Sequence, residues 1–134
     1  MILRLAVCSL LLVIVRSDPL HISIDIHCDP PRLPWCGDLF IYEADSEGTH
    51  DVLKFEHFCT EQTEQRFNWT FWPGGDLSPH YEIAYQLNHN CHTDGYVRCI
   101  KIEPVTVKHN GERKVKFIAN IRDVGTQPGC PAIY

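Results

Sequence analysis

The sequence predicts an all-β fold, an immunoglobulin-like β-sandwich of seven or eight short strands stapled by disulfides. Three observations carry this expectation. Apolar and polar residues alternate in several short runs, the pattern of strands with one buried face. Clusters of Gly, Pro, Asn and Asp separate these runs, and no window shows a long helical period, although one short helix between strands would fit. Six cysteines remain once the N-terminal segment is set aside, an even number that suits a small cross-linked domain.

The elements follow in order. Ile22, Ile24, Ile26 and Cys28 share one face of the first strand, with Ser23, Asp25 and His27 on the other. Residues 38–44 form a short strand rich in apolar and aromatic side chains. Residues 52–59 set Leu53, Phe55, His57 and Cys59 on one face. Residues 66–72 set Phe67, Trp69 and Phe71 opposite Asn68 and Thr70. Residues 81–91 align Tyr81, Ile83, Tyr85, Leu87 and His89, and residues 96–102 make another strand. Residues 105–108 and 114–122 are joined by His109-Asn110-Gly111-Glu112. Asn-Gly accepts positive φ at both central turn positions, so these two strands are expected to form a hairpin. The breakers are residues 30–34, Ser46-Glu47-Gly48, Pro73-Gly74-Gly75-Asp76 and Thr93-Asp94-Gly95. The C-terminal residues 125–134 read as a loop pinned by Cys130.

Residues 1–17 read as a signal peptide. Arg4 supplies a short basic start, residues 5–15 are uncharged and, Ser9 apart, apolar, and Val15 and Ser17 suit the cleavage site. The apolar run is too short to span a bilayer, which takes about 20 residues. The expected mature protein is one secreted, extracellular domain over residues 18–134, with no integral membrane segment after cleavage. Losing Arg4 and Arg16 makes it two units more negative than the −5 of the whole chain. That balance argues against nucleic acid or an anionic membrane as a partner through a general basic field, but not against a local patch.

The stretch Asn88–Cys99, NHNCHTDGYVRC, concentrates two histidines and two cysteines. A structural zinc site usually carries a tight C-x-x-C pair, whereas the nearest cysteines here, Cys28/Cys36 and Cys91/Cys99, are eight apart. A Cys–His nucleophile needs a free thiol. In an oxidising compartment Cys28, Cys36, Cys59, Cys91, Cys99 and Cys130 are expected to be consumed in three disulfides, which leaves no thiol. His89 and His92 are then polar residues around a strand end. A secreted metal-binding protein using His89 and His92 is an alternative reading.

The remaining candidate residues each have an ordinary role beside a functional one. Asn68-Trp69-Thr70 is a glycosylation sequon, and alternation turns Asn68 away from the apolar face. The acidic residues between Asp45 and Asp51 alternate as in calcium loops, but the length, terminal Glu and flanking helices of an EF-hand are missing, so a solvated turn is expected. Trp72 falls on the polar side of its strand and is a possible binding surface. Histidine is the residue type that changes charge nearest neutral pH, so the eight histidines could give a pH response, although scattered surface residues account for them as well. No serine elbow, H-E-x-x-H, phosphate loop or dinucleotide fingerprint is present, so no enzyme, cofactor or catalytic residue is expected.

The order of several short motifs resembles the nematode transthyretin-like family of small secreted proteins. The first strand ends at Cys28 and a proline-bearing loop ends at Pro34. Phe40, Tyr42 and Glu43 lie on the next strand, followed by an acidic loop with Asp45 and Asp51, then Leu53. Tyr81-Glu82-Ile83, the H-x-C of His89-Asn90-Cys91 and the I-x-P of Ile102-Glu103-Pro104 complete the series over residues 22–121. The chain departs from the pattern at Glu64-Gln65-Arg66, where the family usually has a glycine before the strand, and adds Cys36, Cys59, Cys99 and His92. A plant self-incompatibility-type sandwich also carries a His-Cys pair near its first strand, but does not account for the ordered series. The resemblance implies a transthyretin-like β-sandwich and a bond between Cys28 and Cys91. Both cysteines close a strand, and closing so long a segment stabilises by roughly 4 kcal/mol in the chain-entropy model. Chain proximity then favours Cys36–Cys59 and Cys99–Cys130 as the remaining pairs.

The functional expectation is an extracellular binding or bridging protein with a protein, cell-surface or lipid partner. A carrier of a small apolar ligand, in a cavity or between subunits, is the alternative; the sequence does not address oligomeric state. The exported protein, unfolded without reductant, should titrate no free thiol, whereas several free SH groups would remove the cross-linked scaffold.

Overall fold

The computed structural model describes residues 18–31, 34–44, 50–73, 80–108, 111–131 and 133. The signal-peptide expectation at 1–17, most of the acidic turn at 45–51 and Asn110 of the Asn-Gly pair fall outside them. Eight strands form two packed sheets: β1 Leu20–His27, β2 Trp35–Ala44, β3 His50–Thr60, β4 Glu64–Phe71, β5 His80–His89, β6 Arg98–Lys101, β7 Val105–Lys108 and β8 Arg113–Asn120. The first sheet has the order β4-β1-β8. In it β1 runs antiparallel to β4 and parallel to β8. The second has the order β3-β2-β5-β6, and β7 also pairs with β5. No helix occurs among the described residues.

Strand β1 forms because its sequence alternates strictly and its inward positions are β-branched or leucine. Leu20, Ile22, Ile24 and Ile26 are buried, while His21, Ser23, Asp25 and His27 face outward. Burying each such side chain stabilises by roughly 1.5–3 kcal/mol, an upper figure because denatured chains are already partly compact. Facing them across the core are Leu39, Ile41, Ile83 and Leu87 of the second sheet, all fully buried. Aromatic contacts tie the layers together. Tyr85 meets Phe117 edge-on at 5.1 Å, and Phe58 meets Phe67 at 5.3 Å.

The middle of the second sheet is buried on both faces. Residues 39–42 and 83–87 are buried without a break, which explains why residues 38–44 are rich in apolar and aromatic side chains rather than alternating. Phe40, Tyr42 and Ala84 form a second cluster on the outer face, covered by Ile102 and Ile133. The C-terminal segment is held there by side chains that alternation alone marks only as polar. Gln86 donates to the Pro131 carbonyl at 2.8 Å. Asn88 donates to the Cys130 carbonyl at 2.9 Å and accepts from its N–H at 2.8 Å. Gly125 makes the approach possible: its φ is 117°, and an added Cβ would lie 2.8 Å from the Cys99 carbonyl oxygen.

Two sequence expectations change. A register shift between Ile41 and Tyr42 inserts an extra residue in β3, so Leu53 packs on the inner core while Phe55 faces outward against Phe40 at 4.7 Å. Leu53 therefore does not share a face with Phe55, His57 and Cys59. Strands β7 and β8 also do not form a hairpin. β7 bonds to β5 and β8 to β1, so the turn crosses between sheets. The physical reason is burial: Val107, Val115 and Phe117 cover the core from opposite layers.

The strand directions give the sandwich two unlike ends. Cys28–Cys91, Cys36–Cys59 and Cys99–Cys130 are bonded, with Cα separations of 6.1, 4.0 and 5.2 Å. All three lie at the end where β1 and β5 finish and β2 begins. The turns β2–β3, β4–β5 and β7–β8 lie at the opposite end, where no described residue is cross-linked. The Cys28–Cys91 bond closes a separation of 63 residues. Replacing Ile24 by Ala should lower unfolding free energy by roughly 2–5 kcal/mol in urea titrations, whereas Ile118→Ala, at a position 62 % exposed, should change it by no more than about 0.5 kcal/mol.

Candidate functional site

The histidine- and cysteine-rich stretch folds into a knot at the cross-linked end. His89 closes β5 and is 1 % exposed. Its Nδ1 accepts the Cys91 N–H at 3.1 Å, and its Nε2 donates to the Val124 carbonyl at 2.8 Å. These partners require the neutral ring with the proton on Nε2, and they use both nitrogens. The ring's available lone pair, on Nδ1, is taken by the Cys91 N–H and Nε2 carries the proton, so His89 offers no nitrogen to a cation beside His92. Asn90 accepts the Cys36 N–H at 2.7 Å, which ties the end of β5 to the start of β2. Next to it Cys91 is bonded to Cys28.

His92 belongs to a separate, outward-facing cluster. Its Nδ1 lies 2.7 Å from Asp94 Oδ1 and its Nε2 lies 3.6 Å from Asp123 Oδ1. Asp123 adopts φ 58°, a left-handed conformation that short polar side chains tolerate. It accepts the Thr93 N–H at 2.8 Å and hydroxyl at 3.0 Å, and its own N–H donates to the Cys91 carbonyl at 3.1 Å. The Tyr96 N–H holds the Asp94 carboxyl below its ordinary range, with His92 and Arg98 adding to the effect. The Thr93 N–H does the same for Asp123. The cluster locks the 90–97 turn through hydrogen bonds among its own groups.

The outer face of the three-stranded sheet is the second place where chemistry-bearing residues meet. Asn68 is exposed in β4 opposite Ser23. Thr70 bonds His21 Nδ1 at 2.8 Å. The sequon therefore projects from a strand face with room above it. Further along, donor atoms of Asp25, His27 and Glu64 lie within 4.8 Å of one another. The sequence shows Asp25-x-His27 on one face but gives no sign of Glu64, which arrives only through the β1–β4 register. The chain's own cations already occupy this cluster. Arg66 contacts Glu64 and lies 3.7 Å from Asp25, and Lys116 reaches Asp25 at 3.4 Å.

The open end carries Trp72, 61 % exposed just past β4. Its neighbour Pro73 is held by the buried Tyr81 hydroxyl, which donates to the Pro73 carbonyl at 2.7 Å. Inward of Trp72 runs a half-buried ladder. Trp69 lies 6.4 Å from Phe71 and stacks on Phe67 at 5.4 Å. Trp72 is thus an exposed indole on a braced stem.

Burial pushes the His89 imidazole below its ordinary range; the Val124 hydrogen bond opposes this, and His92 and Arg98 reinforce it. Protonation would also set an N–H at Nδ1 against the Cys91 N–H. The unfolded chain therefore binds this proton more readily than the folded one. Its contribution to stability is complete above the unfolded pKa near 6.5 and is lost as pH falls below it. Urea midpoints should drop between pH 7 and pH 5, with a slope of at most about 1.4 kcal/mol per pH unit for one proton. His89→Gln should be less stable at pH 7 and should flatten that slope.

A transthyretin-like family model does not match the chain, which corrects the resemblance drawn from its motifs. Each of those motifs is short and marks an ordinary feature of a β-sandwich: Phe40, Tyr42 and Ile83 are buried strand residues, Cys28 and Cys91 follow strand ends, and Pro104 lies between β6 and β7. No curated protein and no solved structure shows significant similarity to it. Residues 23–133 match a different family model, described as Caenorhabditis elegans protein of unknown function (DUF870). That match covers nearly all of the described sandwich, and the chain belongs to the DUF870 family.

Proposed function

We propose that the protein is a secreted, extracellular binding or bridging module that presents the open end of its sandwich to a protein, cell-surface or lipid partner. The observation that carries this reading is the segregation of the two ends. All three disulfides gather at one end, and Trp72 stands exposed at the other. Three disulfides suit an oxidising compartment. Cross-links at one end hold the strands in register, so Trp72 just past the end of β4 is carried on a strand with its partners already in place, which lowers the ordering cost on binding. An exposed indole on a braced stem resembles the aromatic anchors of interface hot spots. The six cysteines outside residues 1–17 are paired, and His89 is committed to the backbone, so the opening for nucleophilic thiol chemistry at this stretch is closed.

The purified protein should bind nematode cells or lipid vesicles saturably, and Trp72→Ala should weaken that binding about tenfold or more, a loss of about 1.4 kcal/mol or more. Circular dichroism checks that the variant is folded. Equal binding by Trp72→Ala, or turnover of a small substrate without any partner, overturns the reading.

A further inference from the structure

We propose that the rim between β7 and β8 binds a sulfated polysaccharide chain; this rests on the extracellular binding reading and gives its partner a chemical class. The first observation is charge segregation. The chain carries a net charge of −5, yet residues 101–122 hold six of its 12 Lys and Arg against two Glu. These are Lys101, Lys108, Arg113, Lys114, Lys116 and Arg122. Within them Arg113-Lys114-Val115-Lys116 is a basic cluster of the kind that forms heparin or nucleic-acid patches.

The second observation is where the fold places them. β7 pairs only with β5 and β8 only with β1, so one side of each strand carries no strand partner. The two strands line an open groove of about 510 Å³, with Lys108 from β7 and Arg113, Lys114 and Lys116 from β8 along it. Lys108, Lys114 and Lys116 are exposed. Lys108 and Lys114 meet no carboxylate among the described residues, whereas Lys116 pairs with Asp25 at 3.4 Å. Nearby acids are turned to other work. Glu112 lies 2.5 Å from His21 Nε2, and Asp18 accepts the Gly111 N–H at 2.7 Å. Lys114 and Lys116 share one strand face, roughly 7 Å apart at strand rise. They also line a second hollow of about 450 Å³, where Ser23 and Thr70 add hydroxyls and Asn68 an amide. A groove lined by Lys and Arg beside amide and hydroxyl groups fits a chain that alternates sulfates with sugar hydroxyls.

Edge protection and nucleic-acid binding fit these residues less well. Lysines on strand edges often serve only to block aggregation. The opposite rim, formed by edge strands β3 and β4, needs the same protection but has just Lys54 and Arg66, each beside a glutamate, Glu56 or Glu64. Single-stranded nucleic acid asks for exposed rings on which bases stack. Phe117, the ring lining the groove, is buried.

The test is fluorescence anisotropy of a labelled heparin oligosaccharide, titrated with the disulfide-bonded protein over a salt series. Lys108→Glu/Lys114→Glu should weaken binding at least tenfold and reduce the slope of log affinity against log salt by roughly two, by analogy with counterion release from nucleic acid. Lys54→Gln should bind like the parent. Equal binding by the double variant, or binding of single-stranded DNA of matched charge as tightly as heparin, overturns the inference. A parent that ignores heparin but still binds cells through Trp72 overturns this inference alone; one that does neither overturns the binding-module reading as well.

Discussion

The bond between Cys28 and Cys91 ties together the two strands on which everything else is built. β1 is the centre of the three-stranded sheet, and β5 pairs with β2, β6 and β7 in the other. Each ends at the same pole, and the disulfide joins them one and two residues past their last paired positions. Closing so long a loop stabilises by roughly 4 kcal/mol in the chain-entropy model, a large share of a typical domain's stability. Around the bond the backbone is closed by short hydrogen bonds. The Cys28 N–H donates to Thr63, the Cys91 N–H to His89, and the Asp123 N–H to the Cys91 carbonyl. A buried imidazole suits this place because it accepts from one backbone group and donates to another without carrying charge into the core.

From that clamp follows the asymmetry of the molecule. Cys36–Cys59 fixes the adjacent ends of β2 and β3, and Cys99–Cys130 pins the returning C-terminal segment beside Asn88. The segment then crosses the outer face of the second sheet and buries Phe40 and Tyr42. One pole and one face are thereby committed to structure. Trp72, the cation-lined rim and the outer face of the first sheet remain open to solvent or partners. The stability of the fold and its capacity for contact thus occupy different regions, so residues in one can change without cost to the other.

Much of the fold was legible because strand physics is local. β1 and β4 were legible to within two residues at each end, since Ile22, Ile24 and Ile26 and then Phe67, Trp69 and Phe71 alternate strictly with polar neighbours. The errors came where a non-local partner intervened. A bulge opposite Tyr42 moved Leu53 to the face opposite the one expected. A crossover turned an Asn-Gly hairpin signal into a bridge between sheets. The family resemblance failed for a related reason: short motifs at strand ends report the constraints of a disulfide-closed sandwich, which unrelated sandwiches share.

The sequence by itself determined the class of the fold, the spacing of its strands and the exposure expected of Asn68 and Trp72, because alternation, turn residues and cysteine parity act over a few residues each. Only the tertiary structure decided what those residues meet. The neutral state of His89 comes from the Cys91 and Val124 backbone, the gathering of Asp25, His27 and Glu64 from strand register, and the groove that Lys108 and Lys114 share from two strands in different sheets. Each depends on contacts between positions far apart in the chain, and such contacts leave no periodic trace in a single sequence.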